Sequence, residues 1–204
     1  MKLTNRRISS FATTVAAALL FIGCGHTSPA VEYYTLAPLP RTQAAASTRP
    51  EFTIAVRPVA LPDLLERPQI VTRTGDSTVS VSDFQRWAGL LKKDFSRVLV
   101  ENLNILLQDA RAAAATDDIA LDPEFIVAVH VNRFDGRPED RVRLSAVWSV
   151  RHLKGKHGLA VRESLIEEKN ETPGYPGLVT AHSRAVASLS REIAAEIRAM
   201  KAAP

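Results

Sequence analysis

Cys24 is the only cysteine in this 204-residue chain, and its thiol is the one side chain of its kind able to take a covalent group. A lone thiol cannot close an intramolecular disulfide, so its neighbours must explain it. It follows an apolar run from Val15 to Ile22, which is preceded by Lys2, Arg6 and Arg7 with no acidic residue before Glu32. A basic start, a short apolar stretch and a small residue, Gly23, just before the cysteine have the order of an export signal. The run is too short to span a bilayer, which takes roughly 20 apolar residues.

Other residues with catalytic or ligating chemistry are present but not grouped. The chain has no Gly-x-Ser-x-Gly elbow, no His-Glu-x-x-His, no phosphate-cradling glycine loop and no calcium-loop spacing. His182 falls in an apolar helical stripe, where a packed, hydrogen-bonded imidazole is the expected state; a catalytic base would also need a third group to orient it. His130 lies in a strand run, and His152 and His157 flank a turn without the tight paired spacing of structural metal ligands. No metal site and no catalytic residue are expected. Arg141, Arg143 and Arg151 share one face of a strand, with Arg162 on the neighbouring strand. Such a row is either a solvated face or a contact for an acidic partner or a lipid phosphate.

Leu20-Phe21-Ile22-Gly23-Cys24 resembles the bacterial lipobox, with Phe21 where that pattern usually carries Leu. In that pattern the chain is cut before the cysteine and the thiol is acylated. The resemblance implies a signal peptide over 1–23, a lipidated N-terminus and tether over 24–32, and a single domain over 33–204. Covalent lipid on Cys24 is then the only non-protein group expected. At about 0.8 kcal/mol per buried methylene, two acyl chains suffice for a stable anchor, so the protein is tethered to a membrane through lipid. The extended chain advances roughly 3.5 Å per residue, so Tyr33 reaches at most about 30 Å from Cys24. Of 26 basic residues, Lys2, Arg6 and Arg7 leave with the signal, and 23 remain against 22 acidic ones. A nearly neutral domain lacks the basic excess of a nucleic-acid binder.

The elements that position these residues can be read from periodicity. Val31 to Leu36 and Phe52 to Leu61 read as strands, with Pro58 assigning the second to an edge or a bulge. Gln69 to Arg73 and Thr78 to Val81 form a hairpin around Thr74-Gly75-Asp76-Ser77, where Gly75 or Asp76 is suited to positive φ. Ser82 and Gln85 have capping-box spacing, which predicts a helix whose stripe is Phe84, Trp87, Leu91, Phe95, Val98, Leu99, Leu103 and Leu106. Ala110 to Asp118 reads as a frayed end or loop. Phe125 to Val131 is a strand, Arg133 to Gly136 its turn, Arg141 to His152 a strand of clean alternation, and Leu159 to Glu167 another. Pro173 to Gly177 breaks the chain before a helix from about Leu178 to Met200. Both tryptophans, Trp87 and Trp148, belong to the core. The expected fold is α+β, a mostly antiparallel sheet with two long amphipathic helices packed on one face.

The lipobox, Tyr33-Tyr34-Thr35-Leu36, Val59-Ala60-Leu61-Pro62 through Arg67-Pro68-Gln69-Ile70-Val71, Phe84-Gln85-Arg86-Trp87-Ala88, Arg133-Phe134-Asp135 and Leu178-Val179 to Ile193-Ala194 occur in an order that is similar to the PqiC (YmbA) family, the auxiliary lipoproteins of ABC-type/MCE lipid-transport systems. The chain departs from that family at Gly89-Leu90, where an acidic residue and a proline are expected, and this predicts an unkinked helix there. The resemblance implies a non-enzymatic outer-membrane lipoprotein facing the periplasm. Its partner would be an MCE-domain protein of an inner-membrane transport complex, with phospholipid and a second copy of the chain as further candidates and no nucleic acid. Gly25, rather than Asp, after the cysteine matches the sorting pattern for the outer membrane in enteric bacteria. The alternative is a stand-alone envelope lipoprotein that binds a small apolar ligand or a cell-wall component.

Overall fold

The computed structural model describes residues 29–41, 50–115, 122–154 and 158–203. In chain order the elements are β1 (Glu32–Tyr34), β2 (Phe52–Val56), a short 3-10 turn (Asp63–Leu65), β3 (Gln69–Arg73), β4 (Val79–Trp87), α1 (Leu91–Leu106), β5 (Ala110–Ala114), β6 (Phe125–Gly136), β7 (Arg141–His152), β8 (Leu159–Lys169) and α2 (Gly174–Ala202). They form a three-stranded sheet in the order β1-β4-β3 and a five-stranded sheet in the order β5-β2-β6-β7-β8. The fold is α+β with two helices, as expected. The sheets, however, are mixed: β1–β4, β2–β5 and β2–β6 pair in parallel, and the antiparallel meander is confined to β6-β7-β8.

β7 shows why the meander forms. Val142, Leu144, Ala146, Trp148 and Val150 are all buried, and the residues between them face outward, so a one-residue slip would turn the whole apolar set into water. The two helices cover this inner face. Phe95, Val98, Leu99 and Leu103 of α1 and Leu178, Ala185, Val186, Leu189, Ile193 and Ile197 of α2 belong with the strand residues to one apolar cluster. Burial of each large aliphatic side chain contributes roughly 1.5–3 kcal/mol relative to exposure. Trp148 is buried among them and donates its indole N–H to Ser164 at 2.7 Å, which gives the one polar atom of that ring a partner.

Several elements differ from the pattern in the sequence, each for a local reason. The Ser82/Gln85 pair does bond reciprocally, with the Gln85 N–H donating to the Ser82 hydroxyl at 3.0 Å, but inside β4. There the β3–β4 ladder jumps from Val71↔Val81 to Gln69↔Arg86, and Ser82 satisfies a backbone donor that the irregular ladder leaves out. Helix α1 therefore starts only at Leu91, after Ala88-Gly89-Leu90, and Phe84 is half exposed rather than part of its stripe. Ala110–Ala114 is a strand instead of a frayed end. Asn104 explains it: its side-chain oxygen accepts the Ala112 N–H and its amide donates to the Ala112 carbonyl, both at 2.9 Å, so the helix itself holds the alanine run beside β2.

Pro58 sits beyond the end of β2, which lies inside the sheet between β5 and β6 and not at an edge. Arg133, Phe134 and Asp135 belong to β6, and the turn is formed by Arg137 to Asp140. The Pro173–Gly177 run does not precede α2 but builds its first turn, where proline is tolerated because its missing N–H has no intrahelical partner anyway. Gly174, at φ 79°, is the only glycine with positive φ among the described residues, so Gly75 does not use the freedom the hairpin turn allowed it. Gly177 is constrained by space: a Cβ there would lie 1.7 Å from the Thr172 carbonyl oxygen.

The segment after β1 is strapped across both helices by polar groups. The Leu36 N–H donates to Asp94 at 2.6 Å, Ala37 N–H to the Ser183 hydroxyl at 3.0 Å and Leu39 N–H to the buried Asn102 at 2.7 Å. Asn102 in turn donates to the buried Ser190 at 3.2 Å, which joins α1 to α2 under the strap.

His182 is a packing residue, as its place in the stripe predicts. It is buried edge-on against Trp87 at 5.7 Å and Phe134 at 4.6 Å, with Nδ1 2.9 Å from the Leu178 carbonyl. Burial pushes the imidazole down from 6.5 to about 4, against the opposing pull of the Leu178 carbonyl, the Asp135 carboxylate and the Phe134 backbone. Between those two values the unfolded chain binds a proton that the native state refuses. The stabilisation is complete above about pH 6.5 and is lost as pH falls to about 4, a difference on the order of 3 kcal/mol. Thermal unfolding followed from pH 7.5 to 4 should show a steeper loss of stability for the wild type than for His182→Gln; superimposable slopes would refute the neutral, buried histidine.

Candidate functional site

The β6–β7 hairpin ends in a concentration of arginines. Arg133 and Asp135 are two residues apart on β6 and so share a face, and Asp135 pairs across the ladder with Arg143 of β7. Arg73 reaches the same place from the last residue of β3. The Asp135 side chain is 5% exposed, and one of its oxygens accepts from Arg73 Nε at 3.1 Å and Nη2 at 2.7 Å while the other accepts from Arg133 Nε at 2.9 Å. A carboxylate so far out of water needs this pairing, because an unpaired buried charge costs several kcal/mol. Removing water from Asp135 thus fixes the stems of two arginines.

Glu167 of β8 does the same at the surface for two more. It accepts from Arg141 Nη1 at 2.8 Å and Arg143 Nε at 2.6 Å, and these hydrogen bonds hold its carboxyl below the usual carboxylate range. The pair is exposed and by itself adds little stability. Between the two anchored pairs lies a polar cavity of about 390 Å³, lined by Arg73, Arg133, Arg137, Arg141 and Arg143 together with Asp76, Asp135 and Asp140. Gly136 also lines it, and its missing side chain faces the core, where a Cβ would stand 2.6 Å from the Arg141 carbonyl and 2.9 Å from Leu178.

Of the arginines singled out in the sequence, the structure brings Arg141 and Arg143 together here and separates the other two. Arg151 lies on the same face of β7 but about 26 Å away along the strand. Arg162 is on the opposite side: it pairs in register with the inward-facing Trp148 and reaches over the sheet edge to Glu196 of α2 at 3.0 Å. A single four-arginine face is therefore replaced by a pocket at one end. The sequence reading missed Arg73, Arg133, Arg137 and Asp135. The signal for Arg133 and Arg137 was present as arginines at 133, 137, 141 and 143 astride one turn; Arg73 had no such signal, because only the tertiary approach of β3 to β6 brings it in. Cys24 and Leu20, Phe21, Ile22 and Gly23 lie outside the described residues, as does His157.

Two further surfaces are open. An apolar groove of about 820 Å³ runs along α1, lined by Val56, Pro58, Leu90, Leu91, Val100 and Ala114, with Lys92, Lys93 and Arg97 at its rim. On the outer face of the five-stranded sheet, Val147, Leu159, Val161 and Leu165 are 38%, 53%, 54% and 78% exposed, on β7 and the edge strand β8. His130 faces outward opposite Val147, while the His152 ring stacks on Phe125 at 4.3 Å. Among the described residues no three His, Cys, Asp or Glu side chains are grouped to hold a metal ion, and no helix is long and apolar enough to cross a membrane.

Comparison with known proteins places this geometry in context. The profile of the ABC-type transport auxiliary lipoprotein components matches residues 34–194, from the end of β1 into the last third of α2. The chain is 26% identical over 181 residues to the intermembrane transport lipoprotein PqiC of Escherichia coli strain K12, covering 87% of this chain and 94% of that protein. PqiC of Shigella flexneri matches to the same extent, at 26% identity over 181 residues. Among solved structures, an uncharacterized protein superposes with a TM-score of 0.69 at 27% identity, covering 83% of this chain and 99% of the other. A protein from Xanthomonas campestris gives 0.62 at 12% identity over 82% and 94% of the two chains, a likeness of fold alone. With both sheets and most of both helices inside the matched span, the chain belongs to the family of ABC-type transport auxiliary lipoprotein components.

Proposed function

We propose that the protein is a non-enzymatic outer-membrane lipoprotein, anchored through acylated Cys24, that docks the periplasmic MCE component of an inner-membrane transport complex and so supports membrane integrity. The observation that carries this reading is the length of the match: likeness to the ABC-type transport auxiliary lipoprotein components runs through 34–194. The near neutrality of the mature chain and the short tether support it. An extended tether would keep the domain within about 30 Å of its anchor, and the domain's own first segment, Thr35 to Leu39, is bonded to both helices.

The α1 groove favours a second reading, a carrier of a small amphiphile. Its apolar walls suit an acyl chain, while the charges beside them, Lys92 paired with Glu66 and Arg97 with Asp94 and Glu101, together with Lys93, give it a polar edge of both signs. On this reading the protein would hold its ligand without a partner.

Replacing Cys24 by Ala should leave the protein unacylated, so that outer-membrane fractions lose it; unchanged fractionation would remove the anchor from the reading. Photo-crosslinking in cells, with the probe at Leu165, Arg143 or Leu90 in turn, should capture an MCE-domain protein from at least one of these surfaces. Failure from all three under functional expression would count decisively against docking. Native mass spectrometry of the detergent-purified full chain distinguishes the second reading, because a carried amphiphile should leave with the protein as a discrete added mass and a docking subunit should be empty.

A further inference from the structure

We propose that the cavity between β3 and the β6–β7 turn is an oxyanion site that takes a phosphate group. Five guanidinium groups line it against three carboxylates. The hydrogen bonds inside the site do not exhaust those arginines. Arg133 spends only Nε on Asp135, and Arg143 only Nε on Glu167. Arg141 uses Nε on Asp140 and Nη1 on Glu167. The terminal nitrogens of Arg133 and Arg143 and the whole Arg137 guanidinium have no partner among the described residues, although Arg137 engages the turn through its own backbone.

Anchoring is what distinguishes this cluster from a solvated surface. A mobile arginine loses side-chain entropy when it grips a ligand, but here the Nε edges of Arg73, Arg133, Arg141 and Arg143 are already held by carboxylates. Arg73 is fully engaged, with Nη1 on the Asp76 carbonyl, and Arg141 keeps only Nη2, but the outer edges of Arg133 and Arg143 remain as forks of N–H donors, the geometry that recognises phosphate oxygens in pairs. The volume of about 390 Å³ is ample for a phosphate group, and the lining of arginines and aspartates does not suit acyl chains. A lipid would therefore enter by its headgroup, with the chains outside.

Free phosphate and a phospholipid headgroup share this chemistry, and the site stands whether or not the chain docks a transport component. The test is calorimetric titration of the detergent-solubilised full chain, at matched ionic strength, with inorganic phosphate, with monomeric dihexanoyl phosphatidic acid and with acetate. Arg137→Gln and Arg143→Gln are the probing variants, because both side chains are exposed and neither ties β3 to β6. Arg151→Gln, far along the same strand face, is the control. Saturable binding of phosphate should weaken roughly ten-fold or more in each probing variant and stay unchanged in the control. If phosphatidic acid alone binds, with the same dependence, the ligand is a lipid headgroup and the site stands. Binding of neither probe, acetate binding as tightly as phosphate, or equal weakening by Arg151→Gln would each overturn it.

Discussion

A carboxylate buried where two sheets meet is the constraint on which much of this structure turns. Asp135 stands on β6 of the five-stranded sheet, and its main partner, Arg73, ends β3 of the three-stranded one. Leaving Asp135 uncompensated would cost several kcal/mol, so the approach of β3 to β6 is dictated by charge as well as by the apolar contacts beside it. The residue before it, Phe134, points the other way, into the core, where it packs edge-on against Phe95 of α1 and His182 of α2 at 5.2 and 4.6 Å. Two adjacent residues of one strand therefore fix both faces of the sheet at the same point. On one side they set the helices, and on the other they set a row of guanidinium groups.

That arrangement separates the parts of the chain that must be rigid from those that must be reached. The inner side is closed: α2 buries its stripe from Leu178 to Met200, with His182 kept neutral among aromatic rings. The outer side carries the arginine pocket and the apolar row of β7 and β8, and neither takes part in the core. The strap beyond β1 links the two roles. It is held by Asp94 and Asn102 of α1 and Ser183 of α2, so one short segment is bonded to both helices.

How much of this was legible in the sequence depends on the range of the interaction involved. Alternation in β7 and the stripe of α2 are written in adjacent turns of the chain, and both appear in the structure as read. The Ser82/Gln85 spacing was read as a helix start because the same hydroxyl-to-backbone bond that caps a helix also closes a break in a strand ladder. Ala110–Ala114 has no β propensity of its own, and its strand exists because Asn104 and β2 hold it from either side. The parallel pairings β1–β4 and β2–β6 join segments far apart in the chain, and no local periodicity announces them.

The candidate site divides along the same line. Arg141 and Arg143 were legible as one face of a strand, and the family likeness pointed to Arg133-Phe134-Asp135 without giving those residues a role. Their role follows from register. Arg143 lies directly opposite Asp135, which places the free forks of Arg133 and Arg143 side by side across one ladder step. Two positions farther along β7, Ser145 lies opposite Arg133 itself but carries no charge of its own; at Arg151 the charge is present without a carboxylate partner among the described residues. The pocket is thus a consequence of which charge pairs the ladder brings opposite each other, and the number of arginines on the face decides little.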